Sequence, residues 1–262
     1  MSNLSYTPEQ PKASTPIVLT IAGSDSGGGA GIQADIKAIS ATGGYACSVI
    51  TAITAQNTLG VSAICPIPVE HVESQLDAVF SDLNVVAVKV GMLADSDIIK
   101  VVAAKIQQYQ PRFLVVDPVM VATSGDLLLE NSAISTLKSA LLPLADVITP
   151  NLPEAAALVG GQNPTSEADM TAMIADLRQL GAKAVLLKGG HLEQDENSND
   201  LLITHDNVQQ LSANACRPAT LTVPVVRCLL PLPPTSLKVT IYHKRLRWVS
   251  STSHKPLLMR ML

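Results

Sequence analysis

The chain predicts an α/β fold with a mostly parallel central sheet and helices on both faces. Three observations carry that reading. Short apolar runs alternate with longer segments of helical spacing along most of the chain. Polar or glycine-bearing motifs follow these apolar runs, as ligand loops follow the strands of an open α/β sheet. The chain has 262 residues, 47% of them hydrophobic, enough for a large core and too apolar for general disorder.

The elements follow in order. Residues 1–16 are polar, carry Pro8, Pro11 and Pro16, and read as a flexible arm. Ile17–Ala22 is the first strand and Gly31–Ala41 the first helix. A second strand over Cys47–Ile53 leads to a helix over Val69–Leu83, where Val72, Leu76, Val79 and Leu83 recur every three or four residues. Val85–Val90, Phe113–Val116, Val147–Thr149 and Ala184–Leu187 complete the strands. The remaining helices are Asp95–Gln108, Ser132–Leu142, Leu152–Leu158 and Ser166–Leu180. Ser166 with Asp169 three positions on makes a capped start for the last of these.

Composition excludes several functions. No apolar run is long enough to span a membrane, and no signal-peptide pattern opens the chain. Cys47, Cys65, Cys216 and Cys228 lack C-x-x-C spacing and read as reduced thiols of a cytoplasmic protein. A net charge of −4 gives no footprint for nucleic acid. That charge is unevenly divided. Residues 1–206 hold all 22 acids and ten of the bases, whereas residues 207–262 hold eight bases and no acid. All 15 glycines lie at or before Gly190, and the last 46 residues carry six of the 17 prolines.

The candidate chemistry clusters after the strands. Gly23-Ser24-Asp25-Ser26-Gly27-Gly28-Gly29-Ala30-Gly31 follows the first strand and opens a helix, where backbone N–H groups can close around a ligand. It lacks the Gly-Lys-Ser/Thr of a Walker loop, and Ile32 breaks the dinucleotide fingerprint. Asp35, read as lying in the first helical turn, suits the helix dipole as well as a ligand. Gln56 and Asn57 follow the second strand; their amides suit a turn or the edge of a heterocycle. Gly91-Met92-Leu93 and Asp117-Pro118-Val119-Met120 follow the next two strands, and Asp117 suits a magnesium ion held through water. Asn151 and Glu154 have the spacing of a capping box, or serve as ligands of a metal–phosphate complex. Lys188-Gly189-Gly190-His191 offers a lysine for phosphate and a histidine of surface character.

Taken together, T-I-A-G-S-D-S-G-G-G-A-G-I-Q-A-D (Thr20–Asp35), V-I-T-A-I-T-A-Q-N-T (Val49–Thr58), K-V-G-M-L (Lys89–Leu93), V-D-P-V-M (Val116–Met120), I-T-P-N-L-P-E-A (Ile148–Ala155) and L-K-G-G-H (Leu187–His191) closely resemble the hydroxymethylpyrimidine/phosphomethylpyrimidine kinases of thiamine biosynthesis. The match runs in the family's order from about Ile17 to about Thr204. The resemblance implies a ribokinase-like α/β fold and two phosphoryl transfers that use ATP and Mg²⁺. The first acceptor is 4-amino-5-hydroxymethyl-2-methylpyrimidine and the second its monophosphate. By position, Gln56 would bind the pyrimidine edge, Asp35 would sit beside the hydroxymethyl group, and Met92 and Gly31 would line the ring. Asn151, Lys188 and Gly189 would face the nucleotide, and Glu154 and Asp117 the metal. The implied partners are a small-molecule pyrimidine and a second copy of the chain in a homodimer, with neither nucleic acid nor membrane. Pyridoxal kinase of the same superfamily is the alternative enzyme. A non-catalytic binding protein with a basic tail is the alternative from another class.

The match places a kinase domain over 17–211 and an aberrant basic tail over 212–262. Family members carry T-H-G-T-G-C-T-L late in the chain, a glycine turn that forms an anion hole and a cysteine beside the acceptor. No residue after Gly190 is glycine here. Reading Arg217–Pro234 from the third base of each codon permits T-R-N-T-H-G-T-G-C-T-L-S-A-A-I-A-A, in which the motif is complete. The expectation is a frame change near Ser212–Cys216, no assignable catalytic loop in this polypeptide, and poor packing of the tail.

Overall fold

The computed structural model describes residues 15–120, 131–189 and 197–214. The expectations for the arm over 1–14, for Gly190 and His191, and for the tail beyond Asn214 lie outside the described residues.

The chain runs β1 (Ile17–Asp25), α1 (Gly31–Ala41), β2 (Tyr45–Asn57), β3 (Gly60–Pro66), α2 (Val69–Asp82), β4 (Val85–Val90), α3 (Ser96–Tyr109), β5 (Phe113–Val116) and α4 (Asn131–Thr136). It continues through β6 (Val147–Ile148), α5 (Leu152–Val159), α6 (Glu167–Ala172), α7 (Ile174–Arg178), β7 (Ala184–Leu187), β8 (Asn197–Thr204) and β9 (Val208–Asn214). These strands form one nine-stranded sheet in the order β3-β2-β1-β4-β5-β6-β7-β8-β9. From β2 to β7 every pairing is parallel; β3, β8 and β9 are antiparallel additions at the two edges.

The central strands read as predicted because both of their faces are buried. Alternate residues of β1 serve opposite cores. Val18 packs with Ala87 and with Ile39 of α1, whereas Leu19 and Ile21 join the large cluster that holds Val72 and Leu76 of α2 and Ile98 and Ile99 of α3. α2 and α3 lie side by side, with Phe80 stacked on Tyr109 at 4.6 Å and Lys105 paired with Asp77 at 2.8 Å.

Four elements differ from expectation. β1 extends to Asp25 and β2 to Asn57, so Gln56 and Asn57 end the strand instead of following it. The helix expected over Ser132–Leu142 passes from α4 into a wide turn at Leu137–Leu141, where the Leu142 N–H reaches back to the Leu137 carbonyl. Pro143, which has no N–H to give, then ends it. The helix expected over Ser166–Leu180 is broken at Met173 into α6 and α7.

The strand order sets where a ligand fits. The chain leaves β1 for β2 on one side and returns to β4 on the other. The carboxyl ends of β1 and β4 therefore flank a topological switch point, the crevice where open α/β sheets bind ligands.

Candidate active site

Every sequence-predicted site residue described here lies at the carboxyl edge of the parallel strands or on a helix that starts there. The residues form two groups. One surrounds the ends of β1, β2 and β4; the other surrounds the ends of β5, β6 and β7.

The glycine loop belongs to the first group and departs from expectation. Its backbone N–H groups do not surround an open space. Gly27, Gly29 and Ala30 donate to the Asp25 carboxylate at 2.8, 2.8 and 2.7 Å, and Gly28 N–H donates to the Asp25 carbonyl at 3.0 Å. Asp25 is buried, and its own N–H donates to Gln33 Oε1 at 2.8 Å. The loop thus holds an anion of its own and forms a fixed wall instead of a phosphate cradle. Ser26 ties it to β2, donating to the Gln56 carbonyl at 2.7 Å and accepting from Gln56 N–H at 2.8 Å. Gly31 has φ +54, and a Cβ there would overlap the Gly23 carbonyl, so only glycine lets α1 start this close to β1.

Asp35 also departs from expectation. It lies in the second turn of α1, beyond the reach of the helix N-terminus, and is 1% exposed. Strand register explains its partners. Thr20 of β1 and Lys89 of β4 are paired neighbours on the face that α1 covers. The Thr20 hydroxyl donates to Asp35 Oδ2 at 2.5 Å and Lys89 Nζ donates to the same oxygen at 2.9 Å. Gln56, next to last in β2, and Met92, just after β4, lie at the ends of the two strands that flank β1. Thr54 Oγ1 donates to Gln56 Oε1 at 3.1 Å. Thr51 Oγ1 holds the Met92 carbonyl at 2.8 Å, and the Met92 methyl lies over Gly23.

The second group brings Asp117, Asn151, Glu154, Lys188 and Gly189 together. Asp117 Oδ1 accepts from Thr149 Oγ1 at 2.8 Å and from Lys188 Nζ at 3.0 Å. Lys188 lies 4.0 Å from Glu154 Oε2, and its N–H donates to the Pro150 carbonyl at 2.9 Å, which joins the β6 and β7 ends. Asn151 and Glu154 form the reciprocal capping box that their spacing implied: Asn151 Oδ1 accepts from Glu154 N–H and Glu154 Oε2 from Asn151 N–H, both at 2.8 Å. The structural role is therefore real, and it also places the Glu154 carboxyl beside Lys188.

The charges here are tuned. Burial raises the Asp117 pKa, but Lys188 and Lys89, with hydrogen bonds from Lys188 and Thr149, hold it below the usual carboxylate range. Burial dominates at Glu154, which is pushed up to about 7 despite Lys188. Gly189 N–H donates to buried Asp200 at 2.9 Å, and a Cβ on residue 189 would overlap the Asn199 carbonyl. The loop after β7 is thereby pinned to β8.

Among the described residues no group of three or more His, Cys, Asp or Glu side chains gathers as a metal cage. Two carboxylates, Asp117 and Glu154, suit Mg²⁺, which takes one or two protein oxygens and completes its shell with phosphate and water. The sequence assigns no separate role to Thr20, Lys89, Thr149 or Asp200, and Asp25 enters it only as a member of the glycine loop. Lys89 alone carried a signal, a charge inside the apolar run Val85–Val90.

The chain matches known proteins along most of its length. The family model described as phosphomethylpyrimidine kinase matches residues 25–220. The hydroxymethylpyrimidine/phosphomethylpyrimidine kinase of Escherichia coli is 52% identical over 195 residues, covering 74% of this chain and 73% of that protein. The Rhizobium meliloti enzyme of the same name is 53% identical over 199 residues, 76% of this chain and 74% of its own. Among solved structures, phosphomethylpyrimidine kinase from Clostridium difficile has a TM-score of 0.69 at 45% identity, covering 75% of this chain and 84% of that one. An ADP complex of Bacillus subtilis pyridoxal kinase has a TM-score of 0.73 at 34% identity, covering 79% and 78%. On this breadth of match the chain belongs to the phosphomethylpyrimidine kinase family, kinases of thiamine biosynthesis with a ribokinase-like fold.

Proposed function

We propose that the kinase domain transfers the γ-phosphoryl group of ATP to 4-amino-5-hydroxymethyl-2-methylpyrimidine and then to its monophosphate. The observation that carries this reading is the division of the carboxyl edge into two chemistries. The β5–β7 ends present Lys188 with two carboxylates, suited to a triphosphate and its cation. The β1–β4 ends present a closed loop, an amide and Met92, suited to a flat heterocycle.

In this reading Asn151, Lys188 and Gly189 bind the nucleotide, with Lys188 set against its phosphates. Asp117 and Glu154 hold Mg²⁺, which when bound neutralises charge on the phosphate oxygens. Gln56 reads the pyrimidine edge, and Met92 and Gly31 line the ring. Asp35 anchors the pocket through Thr20 and Lys89. Phosphoryl transfer rests on positioning and charge stabilisation, and no protein nucleophile is needed.

In this reading the polypeptide as written is impaired, because no residue after Gly190 is glycine and the family's anion-hole motif is one that codons permitted for Arg217–Pro234 would give in a shifted frame. Removing one oxyanion donor from an active site costs about 2.7–4 kcal/mol of barrier, and here the whole loop is replaced. The enzyme works in the cytoplasm as a homodimer. The experiment is to purify this chain beside a version restored to the shifted frame from codon 217. Turnover is then measured with the pyrimidine alcohol, its monophosphate and pyridoxal. The reading expects the restored chain to phosphorylate both pyrimidines at least about a hundredfold faster than the chain as written, and faster than it phosphorylates pyridoxal. Equal turnover of the two chains overturns the impairment, and preference for pyridoxal overturns the substrate.

A further inference from the structure

An aminopyrimidine presents two different groups side by side: the 4-amino group donates and the ring nitrogen next to it accepts. A primary amide can answer both, its oxygen to the amino group and an N–H to the ring nitrogen. A half-turn about the last bond of a glutamine exchanges the two ends of its amide and reverses the match. From the geometry we infer that Thr54 is the positioning residue that sets this orientation in Gln56. The Gln56 oxygen then meets the amino group, and 4-oxo pyrimidines are disfavoured. This inference rests on Gln56 as the reader of the pyrimidine edge.

Three observations support it. The Gln56 backbone is fixed, because Ser26 Oγ accepts from its N–H at 2.8 Å and donates to its carbonyl at 2.7 Å. What can vary is the side chain. That side chain is held at one end only: Thr54 Oγ1 meets the amide, Gln56 is half-buried, and among the described residues none hydrogen-bonds to Gln56 Nε2. The third observation is a shortage of protons. Buried Thr54 has one hydroxyl proton and two oxygens within reach, the Ser24 carbonyl at 2.8 Å and Gln56 Oε1 at 3.1 Å. The nearer carbonyl has the stronger claim. With the proton given to Ser24, the hydroxyl oxygen is left as an acceptor, and an N–H of Gln56 suits it better than a second oxygen. A half-turn of the amide provides this and keeps the 3.1 Å contact, with nitrogen in place of oxygen. The Gln56 oxygen and its other N–H then face outward together, as an aminopyrimidine edge needs. A 4-oxo pyrimidine has an N–H in place of the bare ring nitrogen and an oxygen in place of the amino group. It requires the opposite orientation, in which two acceptors share one proton.

The test uses isothermal titration of the full chain with the 4-amino pyrimidine alcohol and with its 4-oxo analogue, and compares Thr54→Val, Thr54→Ser and Gln56→Ala with the parent. The parent is expected to prefer the amino compound. Thr54→Val keeps the side chain's shape and removes the hydroxyl, so the amide is free to turn. Its preference for the amino compound is expected to fall about fivefold, as for one hydrogen bond. Thr54→Ser keeps the parental ratio, and Gln56→Ala loses the preference altogether. If Thr54→Val does not fold, Thr54→Cys, whose thiol is a weak donor and acceptor, carries the same comparison. A parent without preference, an equal loss of both compounds or an unchanged ratio in Thr54→Val, or the same fall in Thr54→Ser overturns the inference. If Gln56→Ala loses the preference and Thr54→Val keeps it, Gln56 stands as the reader and the role of Thr54 falls alone. Parental affinity for both compounds in Gln56→Ala, or a parent chain that binds Mg²⁺–ATP but neither pyrimidine, overturns the acceptor reading itself and this role of Thr54 with it.

Discussion

The glycine loop after β1 and the Lys188–Gly189 loop after β7 look alike in the sequence, since both place glycine after a strand. In the structure they are opposites. The first spends the N–H groups of Gly27, Gly29 and Ala30 on its own Asp25. The second is tied by Gly189 N–H to Asp200 and by Lys188 N–H to the Pro150 carbonyl, and keeps a cation beside two carboxylates. A run of glycines therefore does not identify a phosphate site; what decides is where the loop's donors are already directed.

The sharpest way to break the comparison is Asp25→Ala. It leaves three partly buried N–H groups without their acceptor, and a loss of about 3 kcal/mol or more in urea unfolding is expected. Pyrimidine affinity should fall with it, while Mg²⁺–ATP affinity stays near the parent value. Unchanged unfolding would mean that the loop closes without its carboxylate. Gly189→Ala attacks the other side. Its Cβ overlaps the Asn199 carbonyl, so β8 and the loop must part, at a cost of up to about 3 kcal/mol. Here ATP binding should weaken and pyrimidine binding persist, the reverse of Asp25→Ala.

Gln56→Ala sharpens the acceptor half further. In the frame-restored chain, losing one hydrogen-bond partner should raise the pyrimidine KM by about 1–3 kcal/mol equivalent and leave the ATP KM unmoved. An equal rise for both removes Gln56 from the acceptor side. A milder effect comes from Glu154, whose carboxyl is pushed up to about 7. It holds its proton below that pH, and metal binding must displace it. Affinity for Mg²⁺–ATP should therefore rise about tenfold from pH 6 to pH 8 beyond the nucleotide's own titration, and Glu154→Gln should remove that excess. The same shift lowers folding stability as pH rises from the ordinary carboxyl range to about 7, because the folded state retains the proton longer.

The parallel core was legible because both faces of its strands are buried, which leaves unbroken apolar runs such as Ala184–Leu187. The edge strands were not. β3 is mostly exposed along Ser62–Pro66, and β8 with β9 carries Asn, Gln and Ser where a core strand carries Val or Ile. Their pairing depends on a neighbour, not on their own pattern. The capping boxes at Asn151 and Ser166 were readable because they are local. The Asp35–Lys89 pair was not, since it joins residues 54 apart through strand register. Asp25 was visible as a residue, but its role depends on where a loop folds back, which spacing does not encode.

In the proposed function the nucleotide lies against Asn151–Glu154 and Lys188–Gly189 and not on Gly27–Gly31. Isothermal titration of Lys188→Ala with Mg²⁺–ATP and, separately, with the pyrimidine alcohol tests it most directly. ATP affinity is expected to fall about tenfold or more with the loss of a charged phosphate contact, and pyrimidine affinity to remain within about twofold of the parent. Parental ATP affinity in Lys188→Ala would contradict the placement and return the triphosphate to the glycine loop.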